Sequence, residues 1–275
     1  MPKIKINDTE LYYEEYGSGV PFLLMHGGLG IDHSYFRPAI DPLSDIFQLI
    51  FYDHRGHGRS GRPPINTITY EQLADDANDL RKTLGHNKIG VIGHSLGGFV
   101  ALNFAIRHIK NISHLIVIDT APAFDYMEEF MELLINKKPS PEVISVFNAP
   151  VAPDPEGFRE QFRILNPFYF YEFSPEQEKM SNKILDDMIL TPEAAALNDI
   201  LMPKYNVSSQ LAKIEVPTLI LAGKGDIICP PSQAQRMHEN IPNSELYLFE
   251  KCAHYPFFEV PDEFFKVVRN WFESI

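Results

Sequence analysis

The chain has 275 residues, of which 44% are hydrophobic and 22% charged, the make-up of a soluble globular protein. That length can bury the core of one α/β domain, with or without an insertion, while a formal net charge of −13 argues against nucleic acid or an anionic membrane as partner. Two cysteines, Cys229 and Cys252, make no disulfide framework; with no hydrophobic leader and no apolar run of about 20 residues, a cytoplasmic location is expected.

Short apolar runs recur along the chain, each ending in glycine, aspartate or histidine. Residues 21–25 and 47–52 are the first two. Thr69-Tyr70-Glu71-Gln72 then reads as a capping box, and Leu73, Ala77, Leu80 and Leu84 fall on one face of the helix that follows, stopped by Gly85. Residues 89–92 form the third run, and 98–110 are apolar nearly all round, as a helix under the centre of a sheet should be. Residues 115–118 form the fourth run. From about 123 to 210 the pattern breaks: no strand run, many prolines, and amphipathic helical segments over 127–135 and 177–189. Runs at 218–221 and 245–249 restore the alternation, and the chain closes on a helix whose stripe is Phe264, Phe265, Val268, Trp271 and Phe272. Runs of four to six residues that are apolar on both faces mark buried parallel strands. Their alternation with helices predicts an α/β fold, a doubly wound and mostly parallel sheet, formed by residues 1–122 and 211–275, with 123–210 inserted as a helical cap.

The chemistry centres on Gly93-His94-Ser95-Leu96-Gly97-Gly98, a G-x-S-x-G motif set between the third strand run and the helix after it. So tight a turn holds a serine hydroxyl at the carboxyl edge of the sheet, which makes Ser95 the candidate nucleophile. A serine hydroxyl needs a base, and the base an orienting acid. Later strand ends supply both: Asp226 in Gly223-Lys224-Gly225-Asp226, and His254 in Cys252-Ala253-His254. Asp119, at the end of the 115–118 run, is the rival acid. The backbone N–H of Leu96, at a helix N-terminus, is one candidate oxyanion donor. The loop His26-Gly27-Gly28-Leu29-Gly30 offers the second, from Gly28 or, failing that, Gly27. Residues 53–60 crowd Asp53, His54 and His57, but no metal-ligand spacing supports a metal there, and a demanding turn pinned by Asp53 and Arg55 is the expectation. Cys229 and Cys252 should lie near each other beside the site as reduced thiols.

These motifs, in this order and spacing, resemble the α/β-hydrolase superfamily over nearly the whole chain. The resemblance implies that Ser95, Asp226 and His254 act as nucleophile, acid and base, with no metal or organic cofactor. The stretches 26–30, 53–63 and Asp119-Thr120-Ala121-Pro122 look most like the proline iminopeptidase-like branch, whose cap carboxylates hold a free amine. Residues 121–210 carry 15 acidic against 7 basic residues, a local charge of −8 that suits such an amine. Two departures stand against it: Leu29 lies where those peptidases usually carry proline, and Leu96, common among esterases and lactonases, replaces their tryptophan or tyrosine. Seven aromatics over 158–173 are candidates to line an apolar acyl pocket. The expectation is a serine hydrolase of a small, partly apolar ester, lactone or amide. The alternatives are an N-terminal proline aminopeptidase and a slow-turnover ligand-binding receptor on the same fold.

Overall fold

The computed structural model describes residues 2–275. The chain runs through β1 (Lys3–Ile6), β2 (Thr9–Tyr16), β3 (Val20–Met25), β4 (Phe47–Tyr52), α1 (Tyr70–Thr83), β5 (Ile89–His94), α2 (Leu96–Arg107) and β6 (Ile112–Ile118). Six helices follow without an intervening strand: α3 (Met127–Asn136), α4 (Pro141–Phe147), α5 (Pro155–Leu165), α6 (Pro175–Asp187), α7 (Pro192–Ala195) and α8 (Asn198–Leu201). Then come β7 (Thr218–Gly223), α9 (Pro231–Asn240), β8 (Ser244–Phe249), α10 (Pro256–Glu259) and α11 (Pro261–Glu273). Among the described residues no helix is long and apolar enough to cross a membrane.

The sheet has the order β1-β2-β4-β3-β5-β6-β7-β8. Every pair from β4 to β8 is parallel, and β1 and β2 add an antiparallel edge. The six apolar runs are the six parallel strands, and β5 and β7 are buried at every position because helices cover both faces. On one face α1, α2 and α9 pack with Leu73, Ala77, Phe99, Val100 and Met237. On the other, α11 brings Phe264, Val268 and Trp271. Phe265 and Phe272 of the predicted stripe are only half-buried.

Three local features add to or correct the sequence reading. The hairpin β1–β2 has no apolar run: its strands alternate charge with Ile4, Ile6 and Leu11, as half-exposed edge strands do. At the start of α1, Thr69 caps the N–H of Gln72, but the Gln72 side chain turns to Asp76 (3.0 Å), so only half of the capping box forms. The reciprocal box is at Ser174 and Gln177, at the head of α6. The turn after β4 is pinned by Asp53, which accepts from the His33 ring (2.6 Å) and the Arg59 N–H (2.7 Å). Arg55 pins the same turn from its other side, pairing with Asp76 on α1 (2.8 Å).

The helical stretch between β6 and β7 leaves and rejoins the sheet at one place. Phe124 N–H donates to Tyr205 O (3.0 Å), and Val207 N–H to Pro122 O (2.8 Å). Further along, the Thr191 N–H donates to Gly30 O (2.7 Å), fastening the stretch to the loop after β3.

All the candidate site residues follow carboxyl ends of parallel strands, so topology delivers them to one edge of the sheet. The first turn of α2 lies so close to the end of β3 that a Cβ on Gly97 would strike the carbonyl oxygens of Met25 and His26. Helix propensity alone favours alanine over glycine by about 1 kcal/mol. The clash with backbone should override it and leave Gly97→Ala roughly 2 kcal/mol less stable in urea unfolding. A variant as stable as the parent would mean that the β3–α2 approach is slack.

Candidate active site

Ser95 joins β5 to α2 with φ 54° and ψ −128°, a backbone conformation costing a non-glycine residue roughly 1–3 kcal/mol. Its surroundings enforce it. The Ser95 N–H donates to Ile118 O (2.9 Å), while its carbonyl accepts from Thr120 Oγ1 (2.7 Å) and the Gly98 N–H (2.8 Å). The serine side chain is left half-exposed at the head of α2.

His254 and Asp226 meet as the sequence predicts. His254 Nδ1 lies 2.8 Å from Asp226 Oδ2, both residues buried, and Asp226 Oδ1 accepts the N–H groups of Ile228 (2.8 Å) and Cys229 (3.2 Å). With Nδ1–H donated to Asp226, the lone pair of His254 sits on Nε2, which is buried with no hydrogen-bond partner. That atom is free to take a proton. It makes no hydrogen bond to Ser95 Oγ at this geometry, a contact that commonly tightens only with substrate bound.

Asp119 is differently placed. Its Oδ1 accepts the Gly223 N–H (2.8 Å), its Oδ2 has no hydrogen-bond partner, and it is fully buried. Burial, and then the nearby Asp226 carboxylate, push its pKa well above the usual carboxylate range. His254 is turned to Asp226 and makes no hydrogen bond to Asp119.

The oxyanion candidates are separated by a buried chain of hydrogen bonds. Gly27 N–H donates to Tyr35 OH (2.8 Å), Tyr35 OH contacts His94 Nδ1 (2.8 Å), and His94 Nε2 contacts the His254 carbonyl (2.8 Å). The directions are forced. The His254 carbonyl can only accept, so His94 Nε2 carries the proton, and the Nδ1 of the neutral ring accepts from the Tyr35 phenol. Burial, then the neighbouring His254, lower the His94 pKa well below its ordinary value, keeping this neutral tautomer. Gly27 is thereby spent. The Gly28 N–H, on a left-handed glycine (φ 48°), and the Leu96 N–H, at the first position of α2, take no acceptor among the described residues.

Beside Ser95 lies a cavity of about 450 Å³. Leu96, Phe99, Phe124, Tyr126, Met127, Phe130, Phe147, Met202 and Ile228 form most of its wall, with Tyr169 and Cys229 toward His254. Of the seven aromatics over 158–173, only Tyr169 lines it. Phe158 packs on Phe162, and Phe170 on Phe173 and Tyr255, so the pocket's aromatic wall comes instead from α2 and from residues 124–147.

A model of the family described as the alpha/beta hydrolase fold matches residues 20–261. The chain belongs to the α/β hydrolase fold family. A proline iminopeptidase of Pestalotiopsis fici is 28% identical over 98% of this chain and 99% of its own. Among solved structures, a thermophilic esterase from Thermogutta terrifontis superposes with a TM-score of 0.79 at 28% identity, covering 100% of this chain and 99% of that one. An esterase from Exiguobacterium antarcticum gives 0.77 at 26%, covering 98% of each. The protein is thus an α/β hydrolase of the proline iminopeptidase-like branch, and an enzyme of the serine hydrolase kind.

On this α/β hydrolase the remaining polar clusters find other uses. Asp226, Cys229 and His254 bring ligand-type atoms within 4.8 Å of one another. However, Asp226 is taken up by His254 and two N–H groups, and burial, then the Asp226 charge, push the Cys229 thiol well above its ordinary pKa. The thiol contacts Tyr126 OH (3.5 Å), and both cysteines are free and buried. The rings of His26, His54 and His57 cluster behind the Gly27 loop, where burial lowers His26 to about 4 and His57 to about 3, so they pack as neutral rings. Sequence reasoning gave no role to Tyr35, His94 or Glu259. Only His94 carried a signal, its place next to Ser95 in the motif.

Asp119 yields a test with a defined sign. An acid whose folded pKa is raised contributes full stability below its unfolded value, near 3.8, and loses it as pH climbs toward the folded pKa. Asn keeps the acceptor for Gly223 and cannot ionise. Asp119→Asn should therefore match the parent in urea unfolding near pH 3.8 and gain on it above, by up to roughly 1 kcal/mol per pH unit. Its kcat should stay within about threefold of the parent, whereas Asp226→Asn should lose on the order of a thousandfold or more. The reverse order of the two kcat values would make Asp119 the acid.

Proposed function

We propose that the protein hydrolyses small, largely apolar esters or lactones through Ser95, His254 and Asp226. Ser95 Oγ attacks the carbonyl carbon while His254 Nε2 takes its proton, and Asp226 holds the imidazole and the positive charge it acquires. The N–H groups of Leu96 and Gly28 receive the oxyanion, the former with the field of α2 behind it. Collapse expels the alcohol, protonated by His254. Water, deprotonated by the same histidine, then cleaves the acyl-enzyme and restores Ser95. Residues 123–210 act as the cap over this site.

The observation that carries the substrate class is the cavity wall. Among the described residues lining it, the one carboxylate is Asp199, which is solvent-exposed, against eleven apolar or aromatic side chains. A substrate ammonium drawn into such a space would lose its hydration with few charges to replace it. The acidic excess of 121–210 falls elsewhere, as with Glu156, Glu160 and Asp186, which surround Arg163 on the surface. The second reading, N-terminal proline aminopeptidase, is supported by the relative from Pestalotiopsis fici, which is similar along its whole length.

Turnover of a short-chain p-nitrophenyl ester beside proline β-naphthylamide tests the reading on one preparation. The ester's kcat/KM should exceed the amide's by about 100-fold or more, since apolar contact and not amine binding drives recognition. An efficient amide whose N-acetyl form is inert would make the protein an iminopeptidase. Negligible turnover of both would contradict the proposed substrate class.

A further inference from the structure

We propose that Glu259 is a positioning residue that ties the loop bearing His254 to the segment Tyr169-Phe170-Tyr171, so that the base is set by the helical stretch over the site. The inference rests on His254 being the base. Glu259 ends α10, five residues beyond His254, and touches no reacting atom. Its Oε1 accepts the N–H groups of Ala253 (2.9 Å) and Tyr255 (3.3 Å) and lies 3.6 Å from the Cys252 thiol. Its Oε2 accepts the Tyr171 N–H (2.7 Å). The N–H between, that of His254 itself, donates to Tyr169 O (3.0 Å). Three consecutive N–H groups of the base loop are thus held by Glu259 or by the segment that Glu259 grips.

The same segment reaches the substrate space. The Tyr169 ring lines the cavity and stands edge-on to the His254 ring at 5.3 Å, and it stacks on Tyr255 at 5.9 Å. A molecule seated against Tyr169 therefore presses on the residue whose carbonyl holds the His254 backbone. Hydrogen bonds to a carboxylate are roughly twice as strong as neutral ones, so Glu259 is the firmest link in this strap.

Glu259→Gln keeps the shape but offers one oxygen and one NH₂, so either the Ala253 and Tyr255 donors or the Tyr171 donor must face an NH₂. Tyr171→Pro deletes the Tyr171 N–H and the aromatic ring and fixes φ at that position. Phe170, at φ −112° and ψ 149°, already has the extended backbone a following proline requires. Tyr171→Ala controls for the ring. Two readouts separate positioning from bulk stability: kcat against KM on the ester, and the downfield NMR resonance of His254 Nδ1–H. Glu259→Gln should cut kcat about tenfold with KM within about threefold, and shift or broaden that resonance. Tyr171→Pro should do the same and Tyr171→Ala should not; if Glu259→Gln fails to fold, this pair carries the test. An unmoved resonance, an unchanged kcat, or identical behaviour of the two Tyr171 variants overturns the proposal. Turnover retained by Ser95→Ala would instead remove the hydrolase mechanism and leave the resonance test standing.

Discussion

The hydroxyl of Ser95 reaches the site only because its backbone is bent to φ 54° and ψ −128°, and the neighbouring strands supply the bonds that hold it there. Ile118 at the end of β6 takes the Ser95 N–H, and Thr120 just beyond returns a bond to the Ser95 carbonyl. The glycine at 97 lets the first turn of α2 sit against the carbonyls at the end of β3. Each contact costs little by itself. Together they offset a strain of about 1–3 kcal/mol and set Ser95 against Gly27 in the loop after β3. The Leu96 N–H, proposed as an oxyanion donor, is the first of α2 directly after this bend.

The same bend gives the adjacent residue a different task. His94 turns into the interior, where Tyr35 fixes its tautomer and its Nε2–H holds the carbonyl of His254. One end of this chain is the loop after β3, through Gly27, and the other is the loop bearing His254. A displacement of either is felt by the other through two buried rings, and an unpaired group in that interior costs roughly 1–3 kcal/mol. On its far side the base loop is gripped by Tyr169 and Glu259. His254 is thus held from the sheet and from the helical stretch above it, while its Nε2 is left unpaired.

How much of this could be read from the sequence depended on how local the signal was. Buried parallel strands must be apolar on both faces, so the six runs from 21–25 to 245–249 were plain, and the alternation with helices gave the fold. The β1–β2 hairpin was missed because an edge strand with charges at Lys3, Lys5, Glu10 and Glu14 looks like any polar segment. Ser95, Asp226 and His254 were legible as candidates because each follows a strand. The preference for Gly28 over Gly27 was open to the sequence, but a physical reason for it, Tyr35 taking the Gly27 N–H from eight residues away, was not. The pocket was misplaced: the aromatic density at 158–173 packs largely within itself and on Tyr255, whereas the wall is gathered from Phe99, Phe124, Phe130 and Phe147, spread over 49 residues. No window on the sequence reports such a gathering, since it is set by how helices cross.

The central claim is that Ser95 is made nucleophilic by His254. Incubation with a fluorophosphonate, followed by peptide mapping with tandem mass spectrometry, tests it without any assumption about substrate. The account predicts one phosphonyl adduct, on the peptide containing Ser95 and at that residue, forming far more slowly in His254→Ala. An adduct on another residue, no adduct, or equal rates in the two proteins would contradict it.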